Sequence, residues 1–212
     1  MKTLAVIGAT GGVGRHVVRQ ALTKDWIVHA LARQPDQVMT HHARLRVFGI
    51  DARDPETLRP PLAGTDFVIS CLGNRPGESP VVAEGTRNSL SVMEALAVPR
   101  LALISSLGVG DSAAQLRQIG PAGWLFALVF NTLLGRVKRD LTAAEAAAEA
   151  SPVTTIRVRP AGLTDEPETG QWHATHAAGR LGRTIPRGDL AAFLVHLAAD
   201  HRFDGQAVSV SR

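Results

Sequence analysis

The chain has no tyrosine, so any mechanism that needs a phenolic acid is excluded. A single cysteine, Cys71, rules out an intrachain disulfide and fits a reducing compartment. Aromatic residues are sparse, at 4 %, and the basic residues are scattered instead of clustered. With no aromatic–basic stripe and no helix-turn-helix pattern, nucleic-acid recognition has no support. No apolar run reaches membrane-spanning length. The nearest, Trp124-Leu-Phe-Ala-Leu-Val-Phe130, extended by Leu133 and Leu134 across two polar residues, is too short for membrane insertion. The first residues show no basic region followed by an apolar run and a cleavage site. They read as a strand, and the expected location is the cytoplasm. Repeats, low-complexity tracts and linker compositions are also missing. The expected organisation is therefore one domain over residues 1–212 with a small C-terminal substrate-side region.

What is present is a globular composition, 45 % hydrophobic and 20 % charged, with a net charge of +4 that suits an anionic ligand. Apolar β-type runs at 3–7, 27–32, 44–48, 67–72, 101–105, 154–159 and 207–210 alternate with helical patterns at 13–23, 55–62, 81–96, 136–150 and 189–199. That alternation predicts a doubly wound α/β fold of the Rossmann type, with about seven parallel strands and helices on both faces. Residues 112–134 break the alternation. The readings for this apolar stretch are core packing, a homodimer surface, a lid or an interfacial contact, with core or dimer packing favoured. Glu145 and Glu149, one turn apart in an alanine-rich helix, read as a solvated acidic edge.

The most informative motif is Gly8-Ala-Thr-Gly-Gly-Val-Gly14, entered by a strand and left by a helical segment. Gly8 permits a tight turn, Gly11 lets a diphosphate approach the backbone, and Gly14 lets helix and strand pack closely. The open N–H groups of the helix start then face phosphate oxygens with a favourable dipole. In dinucleotide sites the residue ending the second strand meets the adenosine ribose. Here it is Arg33, with no carboxylate before Asp36, which favours NADP(H) over NAD(H). Arg15, in the first helical turn, opposes the dipole unless an anion lies nearby, and otherwise reads as a surface residue. Asp51 offers a carboxylate where adenine would lie, while Asp54 reads as a helix N-cap. Cys71 reads as a small buried hydrophobe.

Together with Leu31-Ala-Arg33, Gly49-Ile-Asp51-Ala-Arg-Asp54 and Val68-Ile-Ser-Cys-Leu-Gly73, these residues resemble the short-chain dehydrogenase/reductase superfamily. So do Ile104-Ser-Ser-Leu-Gly108, Thr155-Ile-Arg-Val-Arg-Pro-Ala-Gly-Leu163 and Ile185-Pro-Arg-Gly-Asp-Leu-Ala-Ala-Phe193. The likeness is to the atypical branch that includes biliverdin-reductase-B/flavin-reductase-like proteins. It implies that Gly8, Thr10, Gly11, Gly12, Val13 and Gly14 hold the diphosphate, and that Arg33 meets the 2′-phosphate. Asp51 and Ala52 would meet the adenine, and Cys71, Leu72, Gly73 and Asn74 the nicotinamide-side ribose. Pro160, Ala161, Gly162 and Leu163 would run past the carboxamide. Ser105 and Ser106 fall where typical members keep a catalytic serine.

The Tyr-x-x-x-Lys pair of typical members is absent. Lys138, Ser105 and Ser106 remain as candidate catalytic groups. Reduction of a simple ketone needs a proton donor at the developing alkoxide. A flavin, a quinone or a tetrapyrrole-like acceptor delocalises its charge and asks less of the protein. The expected activity is NADPH-dependent reduction of such a planar acceptor, stacked near Trp124 or Trp172. The alternative is a non-catalytic NADP(H) sensor acting through a protein partner. A nucleotide-sugar epimerase or dehydratase is disfavoured. His173 and His176 lack a third ligand in context, so no metal is expected.

Overall fold

The computed structural model describes residues 2–74, 77–118, 120, 128, 132, 134–176 and 181–212. Most of the stretch at 112–134 that breaks the alternation, Trp124 included, lies outside them. Its beginning forms a 3₁₀ turn, Gly110–Ser112, and a short helix.

The strands are β1 (Thr3–Ile7), β2 (Ile27–Ala32), β3 (Leu45–Gly49), β4 (Phe67–Ser70), β5 (Arg100–Ile104), β6 (Thr154–Pro160), β7 (Gly162–Thr164), β8 (His173–Thr175), β9 (Thr184–Pro186) and β10 (Ala207–Ser211). The helices are α1 (Gly14–Leu22), α2 (Pro55–Leu62), α3 (Val82–Ala95), α4 (Ala113–Gln118), α5 (Gly135–Ala150) and α6 (Arg187–Leu197). Eight strands form one sheet in the order β3-β2-β1-β4-β5-β6-β10-β8, and β7 and β9 pair separately. All neighbours in the large sheet are parallel except β8, which runs antiparallel to β10 with Val210 opposite Ala174. The expected parallel sheet of about seven strands thus gains an antiparallel edge, formed by a segment outside the predicted strands.

Burial follows from this layering. The four residues of β4 are all buried because helices cover both faces of a central parallel strand. The edge strand β3 has three exposed residues. One core lies under α1 and α6, where Val17, Val18, Leu190 and Phe193 meet Val6 and Val208. The other lies under α2 and α3, where Leu58, Leu62, Leu90 and Met93 meet Ile7 and Leu103. Helix α2 starts where Asp54 accepts the Glu56 N–H (3.0 Å) and Pro55 occupies the first turn.

The helix α5 does not carry the acidic edge its sequence suggests. Glu145 is buried and takes two hydrogen bonds from Arg159 of β6, at 2.9 and 2.6 Å. Arg159 also reaches Asp111. The strand β6 delivers a cation beneath the helix, and a buried cation must be paired. One glutamate is therefore drawn inward, while Glu149 keeps a mostly exposed side chain.

Candidate functional site

Strand order reverses between β1 and β4, and the crevice beyond their carboxyl ends is where ligands of open α/β sheets sit. A cavity of about 460 Å³ opens there. Its floor is the glycine loop. Gly8 has a φ of +80°, and a Cβ on it would lie 2.8 Å from the Cys71 carbonyl oxygen. A side chain at Gly14 would run into the Gly8 carbonyl oxygen and the Ala9 Cα, which is the close helix–strand packing the motif predicts. The Gly11 N–H is taken by Gly8 O at 3.0 Å. Among the described residues the N–H groups of Gly12 and Val13 find no acceptor. They open α1 and stand ready for an anion.

At one end the cavity is lined by Arg33, Gln34, Asp51, Ala52, Arg53 and Glu78. The Arg33 guanidinium is gripped by Glu78 at 2.8 and 3.0 Å, and the pair is close to half-exposed. That hydrogen bonding holds the Arg33 pKa above its ordinary value. Arg53 ties the same segment down by donating to Ser79 O at 2.9 Å. One Asp51 carboxylate oxygen accepts the Arg53 N–H at 2.9 Å, a local turn that leaves the residue exposed at the rim.

At the other end stand Cys71, Leu72, Gly73, Asn74, Ile104, Ser105, Val137, Leu141, Leu163 and Arg187. Burial pushes the Cys71 thiol up to about 12, so it stays neutral and packs as an apolar group. Both ends of the Asn74 amide are committed, donating to Asp140 at 2.8 Å and accepting from the Val81 N–H at 2.9 Å. Asp140 also accepts the Val82 and Ala83 N–H groups, each at 3.0 Å. A carboxylate on α5 thereby caps α3 and fixes this wall. The Ser105 Oγ is buried and has no hydrogen-bond partner among the described residues, an arrangement that costs free energy unless a ligand completes it.

Several residues singled out in the sequence are elsewhere. Ser106 turns its hydroxyl to Leu107 O at 3.1 Å and does not line the cavity. Lys138 lies on α5 beside the lining residue Val137 but is not itself a lining residue. Pro160 and Ala161 are buried at the end of β6, and only Leu163 of the 160–163 run reaches the cavity. Trp172 packs on Phe193 and His196 of α6, with ring centroids 6.2 and 5.9 Å apart, away from the site. His173 belongs to the edge strand β8, and His176 packs on Phe203. Arg15 is exposed.

Conversely, Val137, Leu141, Glu78 and Arg187 line the cavity without having been singled out. Arg187 stands inside the quoted Ile185-Pro-Arg-Gly-Asp motif, where a proline before a helix start marks an ordered junction. Nothing local indicates what that junction faces. No helix among the described residues is long and apolar enough to cross a membrane.

Comparison with known proteins bears on the fold and the family. ChuY, an anaerobilin reductase from Escherichia coli O157:H7, superposes with a TM-score of 0.80 at 25 % identity, covering 99 % of this chain and 97 % of that one. A wide-type short-chain dehydrogenase/reductase from Veillonella parvula, solved with NADP, shares the fold with a TM-score of 0.81 at 16 % identity, covering 100 % and 94 %. Divinyl chlorophyllide a 8-vinyl-reductase of Oryza sativa subsp. indica is 28 % identical over 223 residues, which is 93 % of this chain and 51 % of the plant protein. The chain spans less than two thirds of the length of several plant relatives that it matches. The model of the NAD(P)H-binding family matches residues 8–201, and with a glycine cradle at the switch point of its sheet the chain belongs to that family.

Proposed function

We propose that this protein is an NADPH-dependent reductase of a planar, conjugated acceptor, a flavin, a quinone or a tetrapyrrole-like compound. The observation that carries the reading is the wall contributed by α5. The two residues it presents to the cavity, Val137 and Leu141, are four apart, which is the spacing of a Tyr-x-x-x-Lys pair, and both are apolar. The fit to a dinucleotide rests on the glycine cradle that a Cβ would fill and on the orphaned Ser105 hydroxyl.

The bound nicotinamide would supply the hydride. The chain's own task is to hold and orient. The Gly12 and Val13 N–H groups bind the diphosphate, and Arg33 takes the 2′-phosphate once Glu78 yields. Ser105 donates its hydroxyl to the bound dinucleotide. The wall of Val137, Leu141 and Ile104 is apolar and offers no acid to a simple alkoxide. An acceptor that delocalises its negative charge, taking its proton from solvent, suits such a wall. The names of the anaerobilin reductase and the vinyl-reductase point toward the tetrapyrrole end of this range.

The test is NADPH oxidation followed at 340 nm with FMN, a benzoquinone and biliverdin, against a simple aliphatic ketone. Acceleration by a conjugated acceptor and none by the ketone is the expected result. Tight NADP(H) binding with no turnover on any acceptor would replace the reductase by a redox sensor.

A further inference from the structure

Gly12 and Arg187 lie against each other from opposite ends of the sequence. A Cβ on Gly12 would stand 2.8 Å from the Arg187 Nε and 3.0 Å from its Cδ. The side chain of Arg187 therefore lies on the glycine loop, in the volume that any other residue at position 12 would claim. Its base is firmly held. Ile185 and Gly188 are buried, and a Cβ on Gly188 would meet Glu168 at 2.6 Å. Asp189 is buried, binding the Thr169 N–H, the Thr169 hydroxyl and the Gly170 N–H at 2.7–2.8 Å. Arg187 donates one Nη1–H to Asp165 at 2.7 Å, and a guanidinium has five N–H donors.

The electrostatics are unusual. Arg187 is the first residue of α6 and touches the loop that opens α1, so a cation sits at the positive ends of two helix dipoles. Asp165 and the first-turn Asp189 offset this at α6, whereas the first turn of α1 carries no acidic residue. An anion in the cavity removes the conflict. We infer that Arg187 is a cofactor-binding residue that donates to the dinucleotide diphosphate opposite the Gly12 and Val13 N–H groups, and that position 12 is glycine to admit it. The inference rests on the dinucleotide reading of the cavity, but not on the choice of NADP(H) or on the acceptor.

The experiment is calorimetric titration of the wild-type protein, Arg187→Ala and Arg187→Lys with NADPH, NADH and 2′-AMP, which carries no diphosphate. Arg187→Ala should weaken NADPH and NADH by the same factor, roughly 10- to 100-fold, as expected for a charge-assisted hydrogen bond. Its affinity for 2′-AMP should stay within about 2-fold of wild type, since that ligand never reaches residue 187. Arg187→Lys, with charge but no planar fork, should fall between. Unchanged dinucleotide affinity in Arg187→Ala would overturn the inference while leaving the site reading intact. An equal loss for 2′-AMP would also overturn it, by marking the residue as structural. A wild-type protein that binds neither dinucleotide would bring down the site reading itself.

Discussion

Arg33 ends its strand with a carboxylate already on its guanidinium, and this decides how its role must be tested. If it selects the 2′-phosphate, Arg33→Ala should weaken NADPH roughly 10- to 100-fold and NADH by less than about 2-fold. Equal losses in a fluorescence titration would remove the assignment. Glu78→Gln should act in the opposite sense, tightening NADPH severalfold, because the phosphate no longer competes with Glu78. Gly8→Ala is a separate test of the cradle. At a φ of +80° and 2.8 Å from a fixed carbonyl oxygen, the methyl should cost about 1–3 kcal/mol, read by denaturant unfolding. At this scale the sequence was informative wherever a residue's role depends on its chain neighbours: Gly8 in its turn, Asp54 at its cap, Cys71 packed on the core just past a buried strand. It was silent on Glu78, because the pairing of Glu78 with Arg33 joins segments 45 residues apart.

Helix α5 shows what changes at the scale of an element. Its alanine-rich sequence predicts a helix correctly, yet says nothing of which side faces inward. Arg159 decides that by drawing Glu145 under the helix. Arg159→Met should therefore cost about 3–5 kcal/mol, since it strands a buried carboxylate, and Glu145→Leu in the same chain should restore most of the loss. A double-mutant cycle by urea unfolding checks this, and additive single effects would refute the coupling. Asp140→Ala, which uncaps α3, should cost about 1–2 kcal/mol in the same assay. The strands that sequence reading overlooked, β7, β8 and β9, have three residues each. So short a run shows no alternation of its own and becomes a strand only when a partner edge is there to pair with it.

For the molecule as a whole, several ion-paired carboxylates share one response to acid, whether the partner is distant or two residues away. Asp111 is lowered by hydrogen bonding to Arg159, Glu168 by Arg19, and Asp200 by Arg202. A carboxylate whose folded pKa lies below its unfolded value stabilises the fold above the unfolded pKa, and that contribution is lost as pH falls through the folded one. His16, lowered by burial and then by Arg19 and Arg15, acts in the same direction from a higher starting point. The Tm should be nearly level from about pH 8 to 6.5, decline slightly as unfolded histidine protonates, and fall steeply below about pH 4. Calorimetric scans across that range test it, and a Tm unchanged down to about pH 3 would contradict the linkage. Cys71 works at the alkaline end. Its raised pKa stabilises the fold below the unfolded value, and that contribution fades as pH climbs toward about 12.

The sequence by itself determined the alternation of strands and helices, the glycine turn and the cation that ends the second strand. Those are properties of neighbouring residues, set by backbone freedom, side-chain period and local charge. Only the tertiary structure decided that α5 meets the cavity with Val137 and Leu141, that Glu145 turns inward, and that Arg187 comes to rest on Gly12. Each depends on the order in which strands pair and on how far each helix rolls when its apolar face is buried, and neither quantity is written in any short stretch of chain.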